Sequence, residues 1–190
     1  MPDPRVTSRK TLAQGHWLGL FEVFYTDREG RARSWEMAER PFGAGAVMAI
    51  PRLIPSGDYL FVEQFRPPTG KSSIEFPAGL MNVGETPEGA ALRELREETG
   101  YVGRIVGVAP RAYSSPGLTS ESVVQVLVEI DENDPANHDV QAKPDEGEHL
   151  TIHRIPENDV ATFLKAKIAD ETTVESKVVT WFLRELVALP

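Results

Sequence analysis

The chain of 190 residues contains no cysteine. That excludes disulfides, thiolate metal ligands and cysteine nucleophiles, and it fits a reducing compartment. Positive charge is also scarce: 20 lysines and arginines stand against 29 acidic residues, a formal net charge of −9. A nucleic-acid backbone needs a basic face, so nucleic acid is not an expected partner, although a local basic pocket is compatible with the total. No apolar run is long enough to span a bilayer. Met1 to Gln14 lacks the apolar core of a signal peptide. The expectation is a soluble cytoplasmic protein that does not bind membranes. His16, His138, His149 and His153 lack zinc-ligand spacing, and the serines around Pro116 form no nucleophile elbow. Gly43-Ala44-Gly45 lacks the third glycine and the acidic partner of a dinucleotide fingerprint. There is no internal repeat.

The composition supports a folded core: 41% of residues are hydrophobic and 26% charged. A length of 190 residues suits one ordinary domain with a small terminal addition. Trp17 to Tyr25, a turn at Asp27 to Gly30, and Arg31 to Arg40 read as a hairpin. Strands follow at Ala46 to Ile54, Tyr59 to Phe65 and Ser72 to Phe76, and later at Ile105 to Val108, Ser122 to Ile130 and Leu150 to Ile155. A helix is predicted over Thr86 to Thr99, with Thr86 as N-cap, Pro87 in the first turn and Gly100 as the stop. Asp131 to Glu148 reads as an acidic loop, and Pro156 to Ala169 and Val174 to Leu189 as closing helices. The mixed order gives an α+β class. Residues 1–42 are expected to form an N-terminal antiparallel β flap, and residues 43–190 the main domain.

The chemistry concentrates in the predicted helix. At about 100° per residue, Glu94, Glu97 and Glu98 share one face, while Ala91, Leu92 and Leu95 lie on the arc that can pack on a sheet. Three carboxylates at this spacing repel one another. Arg93 can pair with Glu97, but one arginine does not neutralise three acids. A hard divalent cation such as magnesium, with manganese as a substitute, would. The plain alternative is a solvated acidic face.

The wider pattern decides between these readings. Gly79, Glu85 and Arg93-Glu94-Leu95-x-Glu97-Glu98-x-Gly100 fall at the spacing of the Nudix box, with Tyr101 at its final aliphatic position. The segment Gly79 to Tyr101 therefore resembles that motif closely. Gln64 to Pro68, Ile74 to Leu80 and Ser115 to Leu118 resemble the ADP-ribose and ADP-sugar pyrophosphatase branch, as does Pro116 lying 15 positions after Tyr101. The resemblance spans Trp17 to Glu148. It implies a Nudix fold, a mixed sheet sandwiched by helices, and magnesium-dependent cleavage of an ADP-sugar into AMP and a sugar phosphate. It assigns the metal to the Ala78 carbonyl, Glu94, Glu97 and Glu98, a structural role to Glu85, and orientation of the glutamates to Arg93.

For substrate, the resemblance implies Trp17 and Trp35 around the adenine, Glu36 and Arg40 beside them, Arg66 on a phosphate, and Leu80 and Ser115 lining the pocket. The tryptophans have an alternative as core or interface residues, and Arg66 as a surface ion pair. Glu98 and Glu148 carry the catalytic assignment, Glu148 as the group orienting the attacking water, with Glu146 and Glu121 as competing acids. A homodimer with an exchanged N-terminal flap is implied as well. Two other functions stay open: a Nudix hydrolase of nucleoside or oxidised nucleoside di- and triphosphates, and a non-catalytic ADP-ribose sensor.

Overall fold

Helix α1 (Pro87–Thr99) forms where its local signals place it in the computed structural model, which describes residues 3–40 and 45–187. The Thr86 hydroxyl accepts the Gly89 N–H at 3.1 Å, Pro87 occupies the first turn, and Gly100 ends the helix at φ 80° with its N–H donated to the Arg96 carbonyl. Each device satisfies a terminal backbone group that the helix itself cannot.

The chain divides into two compact units. The first joins Met1–Ala46 with Arg111–Val123, and the second joins Val47–Pro110 with Val124–Pro190. The expected flap boundary between residues 42 and 43 lies outside the described residues.

The first unit is built on an antiparallel sheet of β1 (Arg5–Gln14), β2 (Gly19–Thr26) and β3 (Ala32–Glu39), with β2 in the middle. The β2–β3 hairpin matches the sequence reading. Strand β1 does not: Met1 to Gln14 carried no strand signal. All ten residues of β1 are exposed, so no buried face imposes an alternation that sequence could display. Its pairing rests on backbone bonds to β2, from Arg5 opposite Thr26 to Gln14 opposite Gly19.

In the second unit the sheet order is β12 (Thr173–Val174), β6 (Lys71–Glu75), β5 (Tyr59–Arg66), β4 (Ala46–Ile54), β10 (Ser122–Asp131) and β8 (Arg104–Val108). The short strand β7 (Ala78–Leu80) joins β4, and β11 (Thr151–Ile155) joins β5. β5 runs antiparallel to β6, while β6 and β12 are parallel, so the sheet is mixed. A two-residue strand β9 (Ala112–Tyr113) pairs with the start of β10 in the first unit.

Period-two burial places Val124, Val126, Val128 and Ile130 on one sheet face, where they meet Leu60, Val47, Ala49 and the α1 residues Ala90, Ala91 and Leu95. Truncating Leu95, which is fully buried, would cost about 2–5 kcal/mol. The neighbouring residue Phe61 packs with Phe76, Phe163 and Phe182 at ring separations of 5.2, 6.0 and 5.9 Å, joining the sheet to α2 (Val160–Ala169) and the C-terminal segment.

That aromatic cluster explains a departure from the sequence reading. In place of one helix from Val174 on, Val174 belongs to β12, and the segment continues as α3 (Ser176–Trp181) and α4 (Leu183–Leu186); the expected helix end at Leu189 lies outside the described residues. The break falls at Phe182, which is 3% exposed and packs edge-on against Tyr59. Tertiary packing overrides the helical pattern there. Among the described residues no helix is long and apolar enough to cross a membrane.

Candidate active site

α1 meets the β7 strand at a close approach, where any side chain larger than that of glycine would push the Glu94 carboxylate from its place. A Cβ on Gly79 would lie 2.1 Å from Glu94 Oε1, well inside contact distance. The absent side chain lets the Ala78–Leu80 backbone lie directly over the acidic face. Beside it, the Ala78 N–H donates to Glu98 Oε2 at 3.2 Å.

Arg93 fastens the neighbouring acids. Its Nε and Nη2 reach the two oxygens of Glu85 at 2.9 and 3.0 Å, Nη1 reaches Glu94 Oε1 at 2.8 Å and Glu97 Oε2 at 2.9 Å, and Nη2 also donates to the Leu80 carbonyl at 3.0 Å. Glu85 further accepts the Asn82 N–H at 2.8 Å, which shapes the loop before α1. These donors, Arg93 foremost, hold the Glu85 carboxyl down at about 2.

Glu98 lies outside this arrangement and is only 3% exposed. Burial, then the nearby charge of Glu94, pushes its carboxyl up to about 8, with Glu148 and Glu75 adding to the effect. Glu94 is raised by burial as well, against the pull of Arg93, and Glu148 again contributes. One buried and one part-buried carboxylate with too little positive charge make a site that gains from a cation. Among the described residues no three acidic or histidine side chains form a ready-made metal cluster. The oxygens that could serve such a cation are those of Glu94 and Glu98, with the Ala78 backbone beside Glu98 and Glu97 in the grip of Arg93. Such a sparse, hard set fits a cation that keeps part of its water shell, as magnesium does.

Positive charge near these acids also comes from Arg66. Arg66 forks onto Glu75, Nε to Oε1 at 2.8 Å and Nη2 to Oε2 at 2.5 Å. Glu75 is 7% exposed. Arg66 is held charged by Glu75 foremost, and also by Glu98 and Glu148. Glu148, exposed on its loop, thus acts electrostatically on Glu94, Glu98 and Arg66 together. Glu146, its neighbour, is an exposed loop residue. Leu80 is half exposed. The salt bridge suggested for Arg66 is therefore real, and it is compatible with a phosphate contact because Nη1 takes no part in the fork.

The remaining candidates belong to the first unit. Trp17 and Trp35 are 68% and 55% exposed, so neither is a core residue of this chain. The Trp35 indole N–H donates to the Gly117 carbonyl at 2.8 Å, fixing the ring against the Ser115–Thr119 turn. In that turn the Ser115 carbonyl accepts the N–H groups of Leu118 and Thr119. Trp35, Tyr113, Pro116 and Leu118 line a cleft of about 770 Å³. Glu36 is exposed on β3, and Arg40 Nε donates to Glu121 Oε2 at 3.3 Å. Two residues given separate roles by sequence, Arg40 and Glu121, thus bind each other.

Glu75 carried no role in the sequence reading. Its ion pair crosses from β6 to β5, and no local spacing could reveal it. The same holds for Glu39, which accepts from the Ser120 hydroxyl at 2.6 Å and pairs with Arg9 at 2.7 Å.

Comparison with known proteins follows the same lines. The NUDIX domain model matches residues 44–182. The chain is 38% identical over 186 residues to the ADP-sugar pyrophosphatase of Mus musculus, covering 94% of this chain and 85% of that protein. It is 35% identical over 154 residues to the ADP-ribose pyrophosphatase of Saccharomyces cerevisiae, covering 74% and 67%. A solved structure described as an ADP compounds hydrolase superposes with a TM-score of 0.69 at 22% identity, over 97% of this chain and 94% of that one, which shows a shared fold.

Proposed function

The chain belongs to the NUDIX family, and on that footing we propose that it hydrolyses the pyrophosphate link of an ADP-sugar, ADP-ribose foremost, to AMP and a sugar phosphate. The observation that carries the substrate class is the 38% identity, spread over 94% of the chain, to a protein named ADP-sugar pyrophosphatase. The acidic face of α1 supports the pyrophosphate chemistry.

Each residue then has a physical task. Glu94, Glu98 and the Ala78 carbonyl would hold magnesium, with Glu97 beside them, and the ion would supply positive charge that screens the phosphates and polarises the phosphorus. Arg66, aligned by Glu75, binds a phosphate and stabilises the negative charge that grows on the departing group. Glu148 orients the attacking water and takes its proton. The Trp35 ring, pinned by its N–H, offers its flat face to adenine, with Trp17 as the second plate of the sandwich. A homodimer sharing the N-terminal flap belongs to the same reading, and the exposed apolar residues Val6, Leu12, Trp17 and Leu18 of the first unit support it.

Glu75→Gln tests the phosphate contact. Losing a charge-assisted fork releases Arg66, so KM for the ADP-sugar rises about tenfold with a smaller change in kcat. Steady-state kinetics reads this directly, and an unchanged KM would remove Glu75 and Arg66 from substrate binding.

The substrate itself is tested by a panel. ADP-ribose, ADP-glucose and ADP-mannose are incubated with magnesium beside nucleoside triphosphates, and products are separated by chromatography. AMP release from an ADP-sugar is expected. Pyrophosphate release from triphosphates would point to a triphosphate hydrolase, and tight ADP-ribose binding without AMP release to a sensor.

A further inference from the structure

The acidic loop between β10 and β11 is not a free excursion. Asn137, only 9% exposed, sits in it as a three-way clamp. Its Oδ1 accepts the Val102 N–H at 2.8 Å, and its Nδ2 donates to the carbonyls of Val102 at 3.0 Å and Asp131 at 2.9 Å. Asp134 caps the turn that presents it, accepting the Ala136 N–H at 2.9 Å. Six residues on, the Lys143 N–H donates to the Glu97 carbonyl at 2.7 Å, in the last turn of α1. Between these points the Gln141 backbone runs so close to Gly100 that a Cβ there would meet it at 2.8 Å.

The loop is thus strapped across the C-terminal end of the helix that carries Glu94 and Glu98. It is held at points and not by bulk packing, because a cleft of about 750 Å³ opens between it and α1, lined by Leu92, Arg96, His138 and Val140 among others. Beyond Lys143 the chain turns once, the Glu148 N–H donating to the Asp145 carbonyl at 3.0 Å with Gly147 at φ 89°. It then enters β11 with Thr151 opposite Glu63 on β5. Glu148 is therefore suspended between two anchors, the strap on α1 and the β11 register.

We propose that Asn137 is a positioning residue for hydrolysis: by clamping the start of the strap to Val102, just past the end of α1, it supports the course of the loop through the Lys143 tie to Glu97 and so sets where Glu148 stands relative to Glu94 and Glu98. This rests on the reading of Glu148 as the group that orients the attacking water. A carboxylate displaced by about 1 Å loses much of its advantage, whereas the Arg66 side chain keeps its fork on Glu75.

The test is a double-mutant cycle with Asn137→Ala and Glu148→Gln in the full-length protein, with ADP-ribose and magnesium as probes. Asn137→Ala is expected to lower kcat about 10- to 100-fold with KM within about twofold. In the Glu148→Gln background the same change is expected to cost less than about twofold more, because residues acting as one unit are not additive. Thermal melts confirm folding. Asn137→Ser, which keeps a hydroxyl as donor and acceptor, carries the comparison if the alanine variant does not fold. A full additional loss in the Glu148→Gln background, or an unchanged kcat, overturns the proposal while leaving the Glu148 reading intact. A Glu148→Gln protein with unimpaired turnover overturns both.

Discussion

Glu98→Gln abolishes most of the turnover, by at least about 10²- to 10³-fold, and at the same time makes the metal-free protein more stable at pH 8. The two effects have one origin. The Glu98 carboxyl has an ordinary value of 4.5 and is pushed up to about 8 by burial and by Glu94. A carboxyl raised on folding contributes its stability below pH 4.5, where it is protonated in both states. That contribution is lost as pH rises toward 8, because the folded protein must either keep the proton or bury a charge. Glutamine is the same size, keeps an acceptor for the Ala78 N–H and carries no charge. Each pH unit in this window is worth up to about 1.4 kcal/mol. The metal-free variant should therefore gain roughly 2 kcal/mol or more at pH 8, on the order of 5 °C for a chain of this size, and almost nothing at pH 5. On the proposed reading magnesium should reverse the order, since it would stabilise the parent and find one ligand fewer in the variant. Calorimetry at the two pH values, with and without magnesium, checks this. Equal melting temperatures at pH 8 without metal would show that Glu98 is not the strained group.

Glu148→Gln is expected to have an effect of comparable size. General-base assistance is worth about 10²- to 10⁴-fold, and kcat should fall in that range with KM little changed if Glu148 acts, as proposed, on the attacking water. Glu146→Gln, two residues away on the same turn, is the internal control and should stay within about twofold of the parent. Equal losses in the two variants would assign the effect to loop charge and not to one carboxylate. Stopped assays of AMP release under saturating ADP-ribose read both directly.

The legible parts of this molecule were those with local causes. Thr86, Pro87 and Gly100 bracket α1 because each acts on backbone groups within a turn of itself. The acidic face could be read because helical spacing turns sequence distance into direction. β10 could be read because its burial alternates. What escaped has distant causes. β1 shows no pattern because it buries no side chain. The break at Phe182 depends on Tyr59, Phe61 and Phe76, which lie more than a hundred positions away. Glu75 gained its meaning from Arg66 on the paired strand, and Asn137 from Val102 across a turn of chain that sequence could describe only as acidic and polar.

The Arg93 hub bears on what can replace what. Its guanidinium serves Glu85, Glu94, Glu97 and the Leu80 carbonyl from one rigid plane, joining the Leu80–Glu85 loop to the middle of α1. Lysine offers the same charge from a single point with three donors, and it cannot span acceptors spread along a fork. Position 93 thus demands a shape as well as a sign. A chain that kept the charge but lost the plane would have its acids intact and its loop unfastened, with the Ala78–Leu80 backbone free to drift from the carboxylates that it is meant to cover.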